Sequence, residues 1–147
     1  MIACIQRVKS SYVNVDSVKV GEIGKGLNIL IGFSKGDSEE NIEKLAKKCC
    51  ELRIFEDQAG KMGLSVKDIG GEILVISQFT LAGDTKKGRR PDFTNALSPD
   101  MAKIYYNKFI LECKKILGDN NVKNGVFGAT MEVMILNDGP VTFVINM

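Results

Sequence analysis

IACIQRVKSSYVNVD, residues 2–16, is the longest strand pattern in the sequence. It is rich in β-branched residues and alternates in part between apolar and polar positions, as a half-buried strand does. Two further strand patterns follow it closely, at Val18–Ile23 and Leu27–Phe33. The turn-forming segment Gly24-Lys25-Gly26 separates them, so the chain is predicted to begin with three consecutive strands.

A helix is predicted after these strands. Asp37 and Ser38 offer helix caps, and apolar residues then recur at helical spacing: Ile42, Leu45, Ala46 and Cys49. Strand patterns return at Leu52–Phe55 and Ile73–Phe79. From Leu81 to Leu97 neither period holds, and this stretch is predicted to be a loop.

A second helix is predicted from Ser98-Pro99-Asp100, which supplies a cap, a proline at the first helical position and an acid in the first turn. Gly118 is suitably placed to end it. One side of this helix is expected to carry Met101, Ile104, Tyr105, Cys113, Ile116 and Leu117. Two last strands are predicted at Met131–Leu136 and Val141–Ile145. The pattern as a whole predicts a mixed α+β domain with a mainly antiparallel, barrel-like sheet and two packed helices.

The composition limits the chemistry available to the chain. With 147 residues, 44% apolar and 26% charged, it has the make-up of one globular domain, which we assign to residues 1–147. The four cysteines show no C-x-x-C spacing and are expected to be reduced and buried. The absence of histidine excludes a Ser-His-Asp triad, a Cys-His pair and every histidine-containing zinc site. We therefore expect neither a metal nor a cofactor.

The sequence gives weaker indications of cellular location and of a charged binding partner. The first residues, MIACIQRVKSS, lack the basic and apolar regions of a signal peptide, and no apolar run reaches the roughly 20 residues of a membrane span. We expect a cytoplasmic protein with no membrane partner. The net charge of +2 permits binding to nucleic acid without requiring it.

Three segments carry candidate chemistry, and the first is Ser77-Gln78-Phe79-Thr80. It lies at the C-terminal end of a predicted buried strand, where two hydroxyls and an amide can face a cleft. Exposed backbone N–H groups there could hold an oxyanion. The alternative is a strand that ends in ordinary polar residues.

The second segment is the basic run Lys86-Lys87-Gly88-Arg89-Arg90-Pro91 in the predicted loop. Four cations in five residues can neutralise phosphates. A solvated basic loop without a ligand is the alternative.

The third segment is Asn137-Asp138-Gly139-Pro140-Val141-Thr142, between the last two predicted strands. Gly-Pro at such a place is usually a turn. Where the bond is cis, which is true of about 5–6% of X-Pro bonds, the flanking carbonyls can lie side by side and accept hydrogen bonds from an ammonium group. Glycine lets such a ligand approach closely.

Taken together, the motifs resemble those of D-aminoacyl-tRNA deacylases, the D-tyrosyl-tRNA deacylase family. The resemblance runs from Met1 to the C-terminus, and its blocks occur in the family's order. They are Gln6-Arg7-Val8, Leu52-Arg53-Ile54-Phe55, Ser77-Gln78-Phe79-Thr80, Lys87-Gly88-Arg89-Arg90-Pro91, Phe127-Gly128-Ala129 and Asn137-Asp138-Gly139-Pro140-Val141-Thr142. Each block alone is weak, but together and in register they are specific.

The resemblance implies a barrel-like mixed fold and a cytosolic homodimer that hydrolyses the ester of D-aminoacyl-tRNA, and of mischarged glycyl-tRNA, for chiral proofreading. It implies that Ser77-Gln78-Phe79-Thr80 of one subunit and the Gly-Pro motif of the other form each active site. Gly139-Pro140 is then cis and acts as a chiral filter that leaves no room for an L side chain. By the same resemblance Arg7 holds this motif, while Phe127 and Met131 shape the pocket for the terminal adenosine.

The resemblance also fits the missing histidine, because an aminoacyl ester beside a vicinal hydroxyl is already labile. Thr80 and Ser77 are candidate nucleophiles, but neither has a recognisable base to activate it. The preferred mechanism has water attacking the ester, with N–H groups near Phe79 and Thr80 stabilising the oxyanion.

Other functions compete with this one. A sibling group of the same fold removes L-alanine from tRNA, but it is similar to this chain only in part: it carries proline where Ser77 stands, and its terminal motif is flanked differently from Asn137. A non-catalytic RNA-binding module using Lys86–Arg90 is the second alternative, although the sequence shows no exposed aromatic pattern of the kind that stacks on bases. A structural dimer with no ligand is the third.

Overall fold

The computed structural model describes residues 1–147 and contains eight strands, two α-helices and two short 3₁₀ turns. The strands are β1 (Ile2–Val15), β2 (Val18–Ile23), β3 (Gly26–Gly32), β4 (Phe55–Glu56), β5 (Met62–Leu64), β6 (Glu72–Ser77), β7 (Val122–Asn124) and β8 (Glu132–Asn146). The helices are α1 (Glu40–Glu51) and α2 (Pro99–Leu117), and the 3₁₀ turns are Phe79–Ala82 and Asp119–Asn121. The mixed α+β class with a barrel-like sheet and two packed helices is confirmed.

Strand β1 is the centre of the antiparallel half of the sheet. Along one edge it pairs with β8 over nearly its whole length. Along the other edge β2 pairs with residues 11–15 and β3 with residues 2–8, so these two short strands together match one long strand. The opening stretch of the sequence therefore organises four strands.

The other half of the sheet is parallel, which the sequence patterns did not predict. β3 pairs in parallel with β6, and β6 pairs in parallel with β7. Parallel neighbours need a long crossover, and here α1 lies between β3 and β6 in the chain while α2 lies between β6 and β7. The sheet nearly closes on itself, because Gly21 of β2 approaches the Asn124 carbonyl of β7: a Cβ on Gly21 would lie 3.1 Å from that oxygen.

The two faces of the sheet bury separate cores. The larger core lies between the helices and the sheet and includes Ile5, Ile29, Leu45, Val75, Tyr106 and Phe109. The smaller core consists of Val8, Val13, Ile23, Leu74 and Ile76. The cysteines are free, and Cys49, Cys50 and Cys113 are buried as predicted, whereas Cys4 is only half-buried. Burial raises the pKa of the Cys49 thiol, so it stays protonated and unreactive.

Helix α2 begins and ends as predicted, but part of its predicted buried face is wrong. Met101 and Ile104 are 42% and 53% exposed. The buried side consists of Ala102, Tyr105, Tyr106, Phe109, Ile110 and Cys113. These positions recur every three or four residues, as one helical stripe does, and Met101 and Ile104 fall outside that stripe.

The predicted side-chain caps do not form at either helix. Asp37 instead accepts hydrogen bonds from the α-amino group of Met1 and, at 2.7 Å, from the Ser34 N–H. Helix α1 consequently starts at Glu40 without a side-chain cap. At α2 the Ser98 carbonyl, not its hydroxyl, accepts the Ala102 N–H at 2.9 Å. A cationic partner is a stronger attraction for the Asp37 carboxylate than helix N–H groups are.

Three predicted strand boundaries also change. Of the predicted strand Leu52–Phe55 only Phe55 lies in a strand, β4, and the Ile54 carbonyl accepts a hydrogen bond from the Arg7 side chain instead of from a neighbouring strand. The strand predicted to Phe79 ends at Ser77, where the backbone turns into 3₁₀ geometry. The last two predicted strands are one strand, β8, which continues through the expected turn. No helix in the structure is long and apolar enough to cross a membrane.

Candidate active site

Three parallel strands end at one edge of the sheet, and a cleft opens there. β3 ends at Gly32, β6 at Ser77 and β7 at Asn124. The cleft has a volume of about 680 Å³, and residues just beyond these strand ends line it. Ligands of sheets that contain parallel strands bind beyond the carboxyl ends of the strands, so this cleft is the candidate active site.

The predicted catalytic segment forms part of the lining. Ser77 is the last residue of β6 and is half-buried. The Gln78 N–H donates to the Ile31 carbonyl at 2.7 Å, which is the last link between this segment and β3. The chain then enters the 3₁₀ turn Phe79–Ala82. Ser77, Gln78 and Phe79 line the cleft, whereas Thr80 is exposed and is not part of the lining.

This turn leaves backbone donors near the cleft. Its first internal hydrogen bond runs from the Leu81 N–H to the Gln78 carbonyl, so the turn itself does not use the N–H groups of Phe79 and Thr80. The Gln78 side-chain amide donates to the Thr80 hydroxyl oxygen at 2.5 Å, which orients that hydroxyl. Two adjacent N–H groups of this kind can stabilise an oxyanion.

Phe127 and Met131 also line the cleft. The Phe127 ring packs against Tyr106, with 5.6 Å between ring centroids. The Tyr106 hydroxyl donates to the Val75 carbonyl at 2.8 Å, and burial raises the pKa of that hydroxyl. The Met131 sulfur occupies the space next to Gly125, where a Cβ would lie only 2.5 Å from it. The core therefore holds both residues in place.

The cleft offers little acid–base chemistry. Its lining is mainly apolar, and Lys35 is its only ionisable side chain. Its other polar side chains are Ser77, Gln78, Thr94 and Ser98. No group of three potential metal ligands forms anywhere in the chain. The lining supplies no carboxylate or imidazole to act as a base, and it offers a reaction hydroxyls, one lysine ammonium group and backbone N–H groups.

Gly139-Pro140 lies in a wide bulge of β8, and the peptide bond between them is cis. The register passes from Gln6 opposite Thr142 to Val8 opposite Asn137, so the four residues 138–141 of β8 face the single residue Arg7 of β1. Both Gly139 and Pro140 are exposed. The feature is a bulge that projects from a continuous strand.

Arg7 fills the space opposite this bulge. It is only 7% exposed. Its Nε donates to the Asp138 carbonyl at 3.0 Å, and its Nη1 donates to the Ile54 carbonyl at 2.7 Å. The Asp138 carboxylate lies 3.6 Å from the guanidinium. Arg7 thus ties the bulge to the segment before β4.

Asn137 and Thr142 close the bulge from its two ends, a role that the sequence reasoning did not predict. The Asn137 side-chain oxygen accepts the Val141 N–H at 2.8 Å, and its amide donates to the Thr142 hydroxyl at 3.1 Å. Gln6 donates to the same hydroxyl at 3.3 Å. Asparagine commonly replaces a backbone partner in this way, so its place before Gly-Pro is the available sequence signal.

Within one chain, the structure does not bring all the predicted site residues together. Ser77, Gln78, Phe79, Phe127 and Met131 share the cleft. Arg7 and Gly139-Pro140 are grouped with each other and do not line it. A single chain therefore presents two separate clusters.

The predicted basic loop is a hairpin next to the cleft. Asp84 and Asp92 exchange two backbone hydrogen bonds, of 2.8 and 2.9 Å, and close the loop at its base. The cations at its tip, Lys86, Lys87, Arg89 and Arg90, are all exposed, and none forms an ion pair. The residues that follow the loop, Phe93 and Thr94, line the cleft, so the base of the loop adjoins the cleft.

Comparison with known proteins identifies the family. Residues 4–146 match the family described as D-Tyr-tRNA(Tyr) deacylase. The chain belongs to the D-Tyr-tRNA(Tyr) deacylase family. A D-aminoacyl-tRNA deacylase of Persephonella marina is 62% identical over 146 residues, which cover 99% of this chain and 97% of the relative. One of Clostridium acetobutylicum is 55% identical over the same shares of both chains.

Two solved structures share the fold of this chain. The c-Myc DNA unwinding element binding protein has a TM-score of 0.96 at 40% identity, covering 100% of this chain and 99% of its own. A probable eukaryotic D-amino acid tRNA deacylase has a TM-score of 0.84, covering 98% of each chain. The latter is 19% identical and shows the fold alone. The family predicted from the motifs is confirmed by the match over residues 4–146 and by the 62% identical relative.

One feature of this deacylase-family site contradicts the sequence analysis. The chain was expected to show no exposed aromatic pattern, but Phe79 and Phe93 are exposed at the cleft and pack against each other. Phe93 lies in a loop without periodicity, so no local pattern could pair it with Phe79. Only the fold of the loop brings the two rings together.

Proposed function

We propose that this chain hydrolyses the ester bond of D-aminoacyl-tRNA, and of mischarged glycyl-tRNA, releasing free tRNA and the amino acid. The observation that carries the proposal is the cleft at the parallel strand ends, which Ser77-Gln78-Phe79 lines in a chain 62% identical to a D-aminoacyl-tRNA deacylase. A substrate of this kind exists in the cytoplasm, where we place the enzyme. Its basic loop supplies cations for the phosphates of tRNA.

We propose further that the enzyme acts as a homodimer. Strand β8 pairs only with β1, so its other edge has backbone groups free to pair. Exposed apolar side chains follow the strand: Met134, Leu136, Phe143 and Val144. An edge that presents both features favours a symmetric contact with a second copy.

The dimer explains why the two clusters are separate within one chain. Gly139-Pro140 projects from β8 and lies outside its own cleft. In the proposed dimer this dipeptide enters the cleft of the partner subunit, where its carbonyls accept hydrogen bonds from the substrate ammonium group. An L side chain would point at this backbone, whereas a D side chain or the hydrogen of glycine would point away from it.

The proposed reaction is an attack of water on the ester carbonyl. The tetrahedral intermediate places its negative charge near the N–H groups of Phe79 and Thr80. It collapses by expelling the 3′-oxygen of the terminal ribose, which receives the proton that the attacking water loses. The 2′-hydroxyl of the tRNA assists. Removal of one oxyanion donor typically lowers kcat by about 10²–10³-fold, so two backbone donors supply a large part of the catalysis.

Thr80→Ala separates this mechanism from covalent catalysis. Because the backbone N–H remains, we expect the variant to keep nearly full turnover. A chemical quench followed by mass spectrometry would detect an acyl group on Thr80 of the wild-type protein. Trapping such an intermediate would overturn the water mechanism.

The central experiment measures turnover of D-tyrosyl-tRNA, L-tyrosyl-tRNA and glycyl-tRNA by the purified protein. We expect cleavage of the D and glycyl esters and little cleavage of the L ester. Preferential L cleavage would assign the chain to the sibling activity. Binding of tRNA with the ester left intact would favour the RNA-binding alternative.

A further inference from the structure

Two phenylalanine rings form an exposed pair at the rim of the cleft. Phe79 is 60% exposed and Phe93 is 36% exposed. Their ring centroids are 5.0 Å apart, with an angle of 59° between the planes. Both residues line the cleft. Exposed aromatic surface of this extent next to a binding cleft marks a place where a ligand is expected to cover it.

The loop holds Phe93 in a defined position. The Asp84–Asp92 backbone pair precedes it, and the Asp92 carboxylate accepts the Thr94 N–H at 2.8 Å. Hydrogen bonds from the Thr94 hydroxyl and N–H to the Asp92 carboxylate lower the pKa of that carboxyl. After Phe93, the Ala96 N–H donates to the Phe93 carbonyl at 2.9 Å. The ring is thus placed before any ligand binds.

Gly83 gives the Phe93 ring the space it occupies. A Cβ on Gly83 would lie 2.8 Å from the ring carbon Cε1 and 3.1 Å from the Thr80 carbonyl. The ring therefore packs directly on the backbone that follows the Phe79–Ala82 turn. The catalytic segment and the aromatic pair belong to one local structure.

The four unpaired cations belong to the loop whose closing backbone pair, Asp84–Asp92, directly precedes Phe93 in the chain. A cationic surface beside exposed aromatic rings is the combination that binds single-stranded nucleic acid: the cations contact phosphates and the rings stack on bases. An apolar peptide or lipid would not require the cations. The charge therefore favours an unpaired nucleotide as the occupant.

We propose that Phe79 and Phe93 form a stacking platform for the base of the nucleotide that precedes the terminal adenosine of aminoacyl-tRNA. This inference rests on the proposed function. The ester must lie beside Ser77-Gln78, so the terminal nucleoside occupies the cleft with Phe127 and Met131. The preceding nucleotide must then cross the rim, where the two rings lie, and Phe93 directly follows the basic loop in the chain.

The platform predicts a measurable coupling between one side chain and one base. Stacking of a base on an aromatic side chain contributes about 5- to 150-fold in affinity. Leucine at position 93 keeps an apolar side chain but removes the flat ring face. The gain from the preceding base should therefore be present in wild type and largely absent in Phe93→Leu.

The experiment is a double-mutant cycle on kcat/KM. D-tyrosyl minihelix RNA is prepared with its normal end and with an abasic nucleotide immediately before the terminal adenosine. In wild type, we expect the abasic substrate to be cleaved about 5- to 150-fold less efficiently. In Phe93→Leu, we expect the two substrates to differ by less than about 3-fold. We call the fold-decrease in kcat/KM caused by the abasic nucleotide the abasic penalty. An abasic penalty of the same size in both proteins would overturn the proposal.

Two further variants serve as a second test of the platform and as a control. Gly83→Ala keeps both rings but displaces Phe93, so it should also reduce the abasic penalty, and it remains informative if Phe93→Leu does not fold. Leu111→Ala removes an exposed apolar side chain from α2 and should leave the wild-type penalty unchanged. If wild type fails to cleave the normal D-tyrosyl minihelix and full D-tyrosyl-tRNA, the proposed function itself fails. If wild type cleaves them without coupling at Phe93, only the platform fails.

Discussion

Replacing Arg7 with lysine tests how the Gly139-Pro140 bulge is held. The guanidinium donates to two carbonyls at once, those of Asp138 and Ile54, at 3.0 and 2.7 Å. A lysine ammonium at the end of a single chain cannot reproduce this fork, so one carbonyl loses its charged donor. Water cannot easily replace it, because the Arg7 side chain is 8% exposed. A hydrogen bond to a charged group contributes about 1.5–3 kcal/mol, which is the expected loss in unfolding free energy for Arg7→Lys.

Arg7→Met removes both donors as well as the charge beside Asp138. The Asp138 carboxylate is 30% exposed and can be hydrated, but both carbonyls lose their charged donor, so this variant should be less stable than Arg7→Lys. Urea denaturation measures both values, at one fixed protein concentration because a dimer would make the midpoint depend on concentration. The ratio of kcat/KM for D- over L-tyrosyl-tRNA should fall in Arg7→Lys, because a loosened bulge discriminates less.

Lys9→Met is the matched control for Arg7. Lys9 approaches the same Asp138 carboxylate at 4.0 Å, but its side chain is 69% exposed. An exposed ion pair of this kind contributes about 0–1 kcal/mol, so Lys9→Met should behave nearly like wild type. If Arg7→Lys were as stable and as selective as Lys9→Met, the reasoning about the Arg7 fork would be refuted.

Three further predictions concern the bulge, the core and the loop. Gly139→Ala should lower the unfolding free energy, measured by urea denaturation, by about 1–3 kcal/mol, because φ is +138° and a Cβ would lie 2.6 Å from Val141 Cγ2. It should also lower the ratio of kcat/KM for D- over L-tyrosyl-tRNA. Gly60→Ala, with φ of +72° and open space around it, isolates the backbone part of that loss, and equal effects of the two changes would contradict the role of the contacts. Tyr106→Phe should lower the unfolding free energy by about 1 kcal/mol at neutral pH. This difference from wild type should narrow above about pH 10, because tyrosine ionises in the unfolded wild type while the buried Tyr106 keeps its proton. Urea denaturation up to about pH 11 checks this, and a difference that does not change with pH would contradict it. Changing Lys86, Lys87, Arg89 and Arg90 to glutamine should flatten the slope of log K for tRNA against log salt by about 3, and an unchanged slope would locate the phosphate contacts elsewhere.

Local signals predicted the elements that depend on local physics. Pro99 at the first helical position and Gly118 after the last turn set the limits of α2 correctly, because helix ends are decided by backbone groups within one turn. The strands at Val18–Ile23 and Leu27–Phe33 were likewise predicted nearly to the residue. The buried thiols followed from the usual behaviour of free cysteine.

Predictions failed where a distant partner intervened. The expected turn at Gly139-Pro140 is a bulge, because the pairing of β8 with β1 continues on both sides of it. The Asp37 carboxylate accepts a hydrogen bond from the α-amino group of Met1 instead of capping α1, and the Ile54 carbonyl accepts one from Arg7 instead of from a strand. None of these partners lies within a local window of sequence, so no periodicity could reveal them.

The sequence by itself determined which family the chain belongs to and which kinds of chemistry it can perform. The motif blocks occur in one order along the chain, and the lack of histidine is a property of composition alone. The tertiary structure decided where these residues lie. It joined Ser77-Gln78-Phe79 to Phe127 and Met131 at the ends of parallel strands, and it left Gly139-Pro140 exposed on an edge strand. The reason is that strand order and register depend on contacts between residues far apart in the chain, which composition and local periodicity do not encode.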